Sequence, residues 1–372
     1  MKLPTLLTLA CLATLIEASA ADLQPPTLSV GAPAPDFSLP GVDGRQYALK
    51  DFASSKVLVV IFTCDHCPTA QYYEERIKQL VADCKSKGVA VVAISPNDPK
   101  SVRLDELGWS DLGDTFEEMK LRAKDRQYNF PYLYDGDTEA VSRAYGPVAT
   151  PHAFLFDASR KLRYAGRIDD SERPQHVKEH TLRDAIDAVL SGKEPAVTKT
   201  KVVGCSVKWA GKSDSVKSYM DQLAAEKVSI ALVDAAGLKA LRQGNPEKFR
   251  VVNFWATWCA PCVAEFDEFV TINRMYRHRD FEVASVSVNR PEEEKQVLGF
   301  LEKKHASFKN LIFASADREK LIDSFDPEWQ GAVPYTVLIG PDGKILYRET
   351  GSIDALALKR AIQKAMNERK PW

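Results

Sequence analysis

The sequence predicts an α/β protein built from two copies of one architecture, each a central mixed sheet flanked by helices. Three observations support this fold class. Two segments, 56–62 and 249–255, are predicted to be strands buried on both faces, and the first is uninterruptedly apolar after Lys56. Each leads directly into a Cys-x-x-Cys motif and a helical pattern. Later in each unit, a proline precedes two further strands. This repeated order indicates an internal duplication.

Length and composition are those of a globular protein with more than one domain. The chain has 372 residues, 45% of them hydrophobic and 27% charged, which excludes a mainly disordered, collagen-like or coiled-coil protein. At about 150 residues per domain, the length corresponds to two or three domains. The 50 basic and 51 acidic side chains give a net charge of -1, so nucleic acid is not an expected partner.

Residues 1–20 are predicted to be a signal peptide. They begin with Met-Lys, continue through an uncharged stretch over 3–16, and end in Ala-Ser-Ala, which fits a cleavage site. The apolar run is too short for a comfortable membrane span. We therefore expect export to the periplasm or beyond the cell, where disulfides persist, and no stable membrane insertion after cleavage. Lipid attachment at Cys11 is the alternative.

The first unit begins with the strand at 56–62 and the motif Cys64-Asp65-His66-Cys67. Apolar side chains then recur on one helix face, and Gly88 ends this helix. The remaining elements are predicted from shorter patterns: a strand at 89–94, a polar insertion with one helix at 96–127, strands at 153–156 and 161–167, and a helix near 177–190.

The second unit repeats this order after a segment at 192–215, which is predicted to be a linker or a tail that wraps back. Its elements are strands at 228–233, 249–255, 281–288, 335–339 and 344–347, a short helix at 238–242, a helix after Cys262 and a terminal helix at 354–367. We expect one domain over 28–209, a linker over 210–227 and a second domain over 228–372.

A Cys-x-x-Cys motif at the start of a helix has a physical logic. Unpaired backbone N–H groups and the helix dipole stabilise an anion there, so the first thiol ionises easily. Its thiolate attacks a disulfide, and the second cysteine, one turn along, resolves the mixed disulfide. A zinc site is the alternative and would need two further ligands for each motif. The expected chemistry therefore uses no metal and no organic cofactor.

The segment from Phe254 to Cys262 resembles the active site of the thioredoxin fold, most closely the exported TlpA/ResA-like thiol-disulfide oxidoreductases, and the resemblance covers about 228–370. It implies that Cys259 attacks, that Cys262 resolves, and that Pro334 is a cis-proline presenting backbone to a bound peptide. It also implies proton handling by Glu265 and shielding of the disulfide by Trp258. A solvated helix carboxylate and simple packing are the respective alternatives.

The first unit is similar to the peroxiredoxin-like branch of the same superfamily, the redoxin or AhpC/TSA-type domains, over about 28–209. The residues that carry this resemblance are Pro35-Asp36-Phe37, Cys67-Pro68-Thr69 and Thr150-Pro151. Two departures weaken peroxidase activity, because Cys64 replaces a threonine and Pro151 stands where the peroxide-polarising arginine is expected. The resemblance therefore implies dithiol exchange by Cys64 and Cys67 beside a cis-Pro151.

Three further residues are candidates for tuning this first site. A protonated His66 would stabilise a neighbouring thiolate, whereas an ionised Asp65 would raise the thiol pKa, and the sequence leaves open which prevails. Cys205 lies in a Gly-Cys-Ser-x-Lys-Trp segment that also occurs in proteins resembling the first unit. It is a candidate third thiol for Cys64 or Cys67, with an ordinary buried or free thiol as the alternative.

The expected function is an exported thiol-disulfide oxidoreductase that exchanges disulfides with protein substrates through both motifs, as a reductase. An upstream membrane thiol reductase is the expected electron donor. One alternative is a thiol peroxidase at Cys67 that the second domain recycles. Another is a binding module followed by a single redox-active domain.

Overall fold

The computed structural model describes residues 24–369, so the predicted signal peptide and Cys11 lie outside the described residues. The first domain contains the following elements: β1 Ser38–Pro40, β2 Gln46–Ala48, β3 Val57–Phe62, α1 Pro68–Cys84, β4 Val89–Ser95, α2 Phe116–Asp125, β5 Tyr132–Tyr134, α3 Ala140–Tyr145, β6 Ala149–Thr150, β7 His152–Phe156, β8 Leu162–Gly166, α4 Thr181–Leu190 and β9 Cys205–Ser206.

The second domain is preceded by one helix and contains the larger sheet. Its elements are α5 Ser213–Ala224, β10 Ala231–Val233, α6 Ala235–Arg242, β11 Phe249–Trp255, α7 Ala260–Tyr276, β12 Phe281–Ser287, α8 Glu294–Lys303, β13 Lys309–Phe313, α9 Arg318–Phe325, β14 Tyr335–Ile339, β15 Ile345–Thr350 and α10 Ala355–Arg369. None of the helices between residues 24 and 369 combines the length and apolar character that crossing a bilayer requires.

Both domains have the same central arrangement of strands. The first sheet has the order β5-β4-β3-β7-β8, and the second has the order β10-β13-β12-β11-β14-β15. In each, the fully buried central strand, β3 or β11, pairs in parallel with the strand that follows the first helix and antiparallel with the strand after the late proline. The predicted pair of α/β units with central mixed sheets is confirmed.

Several elements lie in segments for which the sequence analysis predicts no helix or strand. The strands β5 and β13 and the helices α3, α8 and α9 are short, so few apolar side chains mark each of them. The segment 210–227, expected to be a linker, holds α5, on which Leu223 is the buried residue. A helix that buries so little of its surface leaves only a weak periodic signal.

The polar insertion of the first domain forms the contact with the second. The hydroxyl of Tyr276 donates to the Ser110 carbonyl at 2.9 Å, and the side-chain amide of Gln363 donates to the Gly108 carbonyl at 3.0 Å. A Cβ on Gly108 would lie 2.7 Å from the Met275 carbonyl oxygen, so the two backbones approach too closely for a larger residue.

This contact lies far from the Cys-x-x-Cys motif of the second domain. Tyr276 is the last residue of α7, whereas the motif is at its first turn. At 1.5 Å per residue, the helix separates the two by about 25 Å. The contacting end of α7 therefore meets the first domain, and the motif is held at the opposite end of the helix.

Candidate active sites

The second domain places its motif at the start of α7. Cys259 is the N-cap of the helix, and its Sγ accepts a hydrogen bond from the Cys262 N–H at 3.3 Å. The two cysteines form a disulfide. Cys259 Sγ lies 3.7 Å from the carbonyl oxygen of Val333, and the peptide bond between Val333 and Pro334 is cis. The fold thus brings Cys259, Cys262 and Pro334 together.

A neutral side chain supports the loop in front of Cys259. The Asn289 carbonyl oxygen accepts a hydrogen bond from the Thr257 N–H at 3.0 Å, and its amide donates to the Thr257 hydroxyl at 2.8 Å. Trp258, between Thr257 and Cys259, is 58% exposed, and the Arg318 guanidinium lies 5.5 Å from its ring centroid. The indole therefore lies on the surface beside the disulfide rather than in the core.

Glu265 follows Cys262 by one turn of α7 and is half-buried. One carboxylate oxygen accepts a hydrogen bond from the Ile353 N–H at 3.0 Å, and the other is buried with no hydrogen-bond partner within residues 24–369. Burial raises the pKa of Glu265, opposed by the hydrogen bonds from Ile353 and Ser352. A carboxyl with a raised pKa can exchange a proton more readily near neutrality than a solvated one.

In the first domain, the helix begins at the second cysteine of the motif, three residues later than in the second domain. Pro68 is the first residue of α1, so the N-cap is Cys67, whose Sγ accepts from the Ala70 N–H at 3.5 Å. The expectation that the first cysteine of each motif begins the helix is therefore wrong for this domain. Cys64 lies upstream of the helix, and Ala70 occupies the helical position that Cys262 has in α7.

The sulfur atoms of Cys64 and Cys67 lie close to Thr150, the residue before Pro151. Cys67 Sγ lies 3.3 Å from the Thr150 carbonyl oxygen, and Cys64 Sγ lies 3.1 Å from the Thr150 hydroxyl. The bond between Thr150 and Pro151 is cis. Cys205 reaches the same place from the chain that follows the domain, and its N–H donates to Cys67 Sγ at 3.3 Å.

A buried ion pair lies directly behind Cys67. Asp114 accepts hydrogen bonds from the Asp65 and His66 N–H groups at 2.9 and 3.1 Å, and its other oxygen lies 2.6 Å from His66 Nδ1. Burial opposes ionisation of both partners, but the pKa of Asp114 falls to about 2 because of the His66 charge and hydrogen bonds, including one from Asn97. The Asp114 carboxylate raises the pKa of His66 against the effect of burial.

Asp65 behaves differently from its neighbour His66. Burial, followed by the Asp114 charge, raises the pKa of Asp65 well above its ordinary value, and its carboxyl contacts the Tyr132 hydroxyl at 3.0 Å. Its surroundings disfavour the charged form of Asp65 and favour the charged form of His66, so His66 is the residue of the two that is suited to stabilise a thiolate at Cys67.

The surroundings of the first site favour ionisation of Cys67. Burial raises the pKa of Cys67, but the hydrogen bonds from Cys205 and Cys64, together with the His66 charge, outweigh it and lower this pKa well below its ordinary value. For Cys64, burial, the hydrogen bond to Cys67 and the Asp114 charge raise the pKa well above its ordinary value. The second cysteine of this motif is thus favoured as the thiolate, the reverse of the expected order.

Asp114 is the site residue that the sequence analysis missed. It lies in the polar insertion, 48 residues after His66, and no local spacing connects the two. The donor atoms of Cys64, His66 and Asp114 all lie within 4.8 Å of one another, an arrangement that could hold a metal ion. Because the 2.6 Å contact pairs His66 with Asp114, the ion pair already accounts for this cluster.

An open cavity of about 330 Å³ lies beside the first site. Its walls include Thr69, Pro151, Glu172 and Val203. Cys67 is fully buried and does not line this cavity. A ligand in the cavity would therefore meet the proline loop and the chain near Val203 before it met the sulfur.

Comparisons with known proteins agree with the two-domain architecture. Residues 30–165 match the AhpC/TSA family, and residues 228–361 match the Redoxin family. The chain is 29% identical to thiol-disulfide oxidoreductase ResA of Bacillus subtilis over 120 residues, which are 32% of this chain and 60% of that protein. It is 27% identical to peroxiredoxin Bcp of Escherichia coli over 149 residues, 40% of this chain and 90% of that protein.

A solved structure also resembles part of the chain. A hypothetical protein from Sinorhizobium meliloti 1021 is 36% identical, with a TM-score of 0.44, over 50% of this chain and 97% of that one. Among the curated relatives, the chain spans 60% of the Bacillus subtilis protein and 49% of a Helicobacter pylori peroxiredoxin.

Proposed function

Because the chain is a tandem of two thioredoxin-superfamily domains, one of the AhpC/TSA type and one of the Redoxin type, we propose that it is an exported thiol-disulfide oxidoreductase. It exchanges disulfides with protein substrates and acts as a reductase. The observation that carries this proposal is the Cys259–Cys262 disulfide at the N-terminus of α7, opposite the Val333 carbonyl.

The reaction at the second site starts from the dithiol. The Cys259 thiolate attacks a substrate disulfide R–S–S–R′, so that a Cys259–S–S–R bond forms and R′S⁻ leaves. Cys262 then loses its proton and attacks Cys259 Sγ, which releases RS⁻ and forms the Cys259–Cys262 disulfide. Two electrons have moved from the protein to the substrate, and both leaving thiolates take up protons.

The surrounding residues have separate positioning roles in this reaction. The exposed N–H groups at the start of α7 stabilise the Cys259 thiolate, and the hydrogen bond from the Cys262 N–H to Cys259 Sγ supports this role. Glu265, with its raised pKa and one oxygen without a partner, accepts the proton that Cys262 releases. Trp258 contacts the protein substrate beside the disulfide, since more than half of its surface is exposed.

The first site uses Cys67 as its nucleophile. Its sulfur occupies the position over the helix N-terminus that Cys259 has in the second domain, and the His66 charge further stabilises the thiolate. The electrons for both sites come from an upstream thiol donor, which we assign to a membrane thiol reductase outside the described chain. Export, which rests on the segment 1–20, would place the protein with such a partner.

Turnover of insulin disulfides with dithiothreitol as the electron donor tests this proposal. In a Cys67→Ser background, in which the first site is silent, we expect Cys259→Ala to reduce turnover to the rate without protein, because no other group can form the first mixed disulfide at the second site. The matched Cys84→Ala variant also removes a buried thiol, one that lies on α1 away from both motifs, and should leave turnover intact. Undiminished turnover by Cys259→Ala would refute the proposal.

Peroxide reduction at Cys67 is the second candidate function. Its support is the fully buried sulfur of Cys67 at a helix N-cap, followed in the sequence by Pro68 and Thr69. A small oxidant reaches such a buried sulfur more easily than a protein does. The test is hydrogen peroxide consumption by the full chain and by Cys67→Ser. Consumption that Cys67→Ser abolishes would support a peroxidase, and equal rates in the two proteins would exclude it.

A further inference from the structure

The chain that follows the first domain folds back across its active site. Before Cys205, the Thr198 carbonyl accepts a hydrogen bond from the Ala165 N–H at 3.0 Å, and the Thr200 N–H donates to the Ala165 carbonyl at 3.2 Å. After Cys205, the Lys208 N–H donates to the Asn97 side chain at 2.9 Å. The segment is therefore attached to the first domain on both sides of the cysteine.

Between these attachments the segment forms a strand against the residues that precede Pro151. Cys205 pairs with Thr150 in the antiparallel β6–β9 ladder. A Cβ on Gly204 would lie 1.9 Å from the Thr150 carbonyl oxygen, so only glycine allows this approach. The result is a cysteine held by backbone contacts, with its N–H 3.3 Å from Cys67 Sγ.

The helix itself offers Cys67 no second sulfur. In α7 the N-cap cysteine has Cys262 at the third helical position, whereas α1 has Ala70 there. Cys64 and Cys205 are therefore the two neighbours that could complete a disulfide with Cys67.

We propose that Cys205 is the resolving thiol of the first site and that the strand from Gly204 to Ser206 delivers it to Cys67. This inference rests on the proposed function, because it needs Cys67 to form a mixed disulfide with a substrate. The Cys67 thiolate attacks R–S–S–R′ and R′S⁻ leaves. Cys205 then loses its proton to solvent and attacks Cys67 Sγ, releasing RS⁻ and forming a Cys67–Cys205 disulfide. An external dithiol reduces this disulfide by the reverse exchange.

The charges around the two candidates favour Cys205 over Cys64. The hydrogen bond to Cys67, followed by burial and the Cys67 charge, raises the pKa of Cys205. The first and third of these causes disappear once Cys67 is bonded to a substrate and carries no charge. For Cys64, the contributions of Cys67 also disappear, but burial, which is the largest cause, and the Asp114 charge persist. Formation of the mixed disulfide therefore removes the largest cause that opposes ionisation of Cys205 and leaves the largest cause that opposes ionisation of Cys64.

The test uses the reduced full-length protein with Cys259→Ala and Cys262→Ala, so that the second site cannot consume the oxidant, and one equivalent of oxidised glutathione as the substrate disulfide. Free thiols are then blocked with N-ethylmaleimide, and the disulfides are mapped by mass spectrometry without reduction. We expect a Cys67–Cys205 disulfide with Cys64 blocked. In Cys205→Ser we expect Cys67 to remain bound to glutathione as the main product.

Two further variants test whether resolution depends on the position of the Cys205 sulfur and not only on its presence. Gly204→Ala keeps every cysteine but pushes the strand away from Thr150, so the glutathione adduct should persist longer than in the wild-type protein. Ser206→Ala is the matched control, because this exposed neighbour should leave resolution unchanged.

The outcomes distinguish this inference from the proposed function. A Cys64–Cys67 disulfide in the wild-type protein, or equally fast loss of the adduct in Cys205→Ser, would overturn the role of Cys205 while leaving exchange at Cys67 intact. Failure of Cys67 to form any glutathione adduct in Cys205→Ser would overturn both for the first site.

Discussion

Cys67 and Cys259 occupy equivalent positions in two copies of one backbone arrangement. Each is the N-cap of the helix after a fully buried central strand, and each sulfur accepts a hydrogen bond from the N–H three residues on, at 3.5 Å and 3.3 Å. Each also lies near the carbonyl that precedes a cis-proline, at 3.3 Å and 3.7 Å. The backbone therefore provides the same anion-stabilising environment twice.

The side chains around the two sulfurs differ in charge and exposure. The residue before Cys67 is the buried His66, whose pKa the Asp114 carboxylate raises, whereas the residue before Cys259 is the exposed Trp258. The loop in front of Cys67 is held by the carboxylate of Asp114, and the loop in front of Cys259 by the neutral Asn289. The comparison shows that the helix defines where a thiolate forms, while its neighbours define how it is tuned and what can reach it.

The largest expected effect concerns the second sulfur of each site. In a Cys67→Ser background, Cys262→Ala should reduce insulin turnover to the rate without protein and leave substrate bound to Cys259, because α7 then lacks a resolving thiol. Cys64→Ala should leave resolution at the first site in place, since Cys205 adjoins Cys67. Gel analysis of covalent adducts under non-reducing conditions measures both. Persistent adducts on Cys67 in Cys64→Ala would show that the two Cys-x-x-Cys motifs resolve alike.

The next effect concerns the charged support of the first site. Asp114→Asn leaves a buried His66 without its counter-ion and should destabilise the first domain by about 3–5 kcal/mol, measured by urea unfolding at neutral pH. The matched Asn289→Ala removes only neutral hydrogen bonds in the second domain and should cost about 1–3 kcal/mol. Equal losses from the two variants would contradict the difference in charge.

The same pair makes the stability of the first domain depend on pH. The folded pKa of Asp114 is about 2, below its ordinary value of 3.8, so its stabilisation is complete above 3.8 and is lost as the pH falls towards 2. The folded pKa of His66 is raised, so its stabilisation is complete below its ordinary value of 6.5 and is lost as the pH rises through the raised value. The difference in the free energy of unfolding between the wild-type protein and Asp114→Asn, measured by urea unfolding, should therefore shrink at both low and high pH.

The sequence analysis predicted the central strands and located both Cys-x-x-Cys motifs because their signals are local. Continuous apolar strands, a motif and a late proline can each be recognised within a few residues. The position of the first helix also had a local signal, since Pro68 directly after Cys67 favours a helix that starts at the proline. Asp114 had none, because its role depends on folding the polar insertion against His66, 48 residues away.

His66→Asn tests the tuning of the first thiolate. Loss of the imidazolium should raise the pKa of Cys67, so less thiolate is present at neutral pH and exchange with glutathione slows. The effect should be smaller than that of Cys205→Ala, which removes the side-chain donor, because the side-chain hydrogen bond from Cys205 precedes the His66 charge among the causes that lower this pKa. The ultraviolet absorbance of the thiolate against pH measures both, with Cys67→Ser as the blank. An unchanged Cys67 titration in His66→Asn would show that the His66 charge does not tune the Cys67 thiolate.

The smallest effect on stability is expected at Trp258, the counterpart of His66. Because 58% of the Trp258 surface is exposed and the Arg318 guanidinium lies 5.5 Å from its ring centroid, Trp258→Ala should change the free energy of unfolding by less than about 1 kcal/mol. Its loss should instead raise the KM for insulin with little change in kcat, because the role we propose for the indole is contact with the substrate. Leu346→Ala, at another exposed apolar residue of the second domain, is the matched control and should alter neither. A loss of several kcal/mol in Trp258→Ala would assign this residue to packing, and an unchanged KM would leave the second site without a substrate contact at this position.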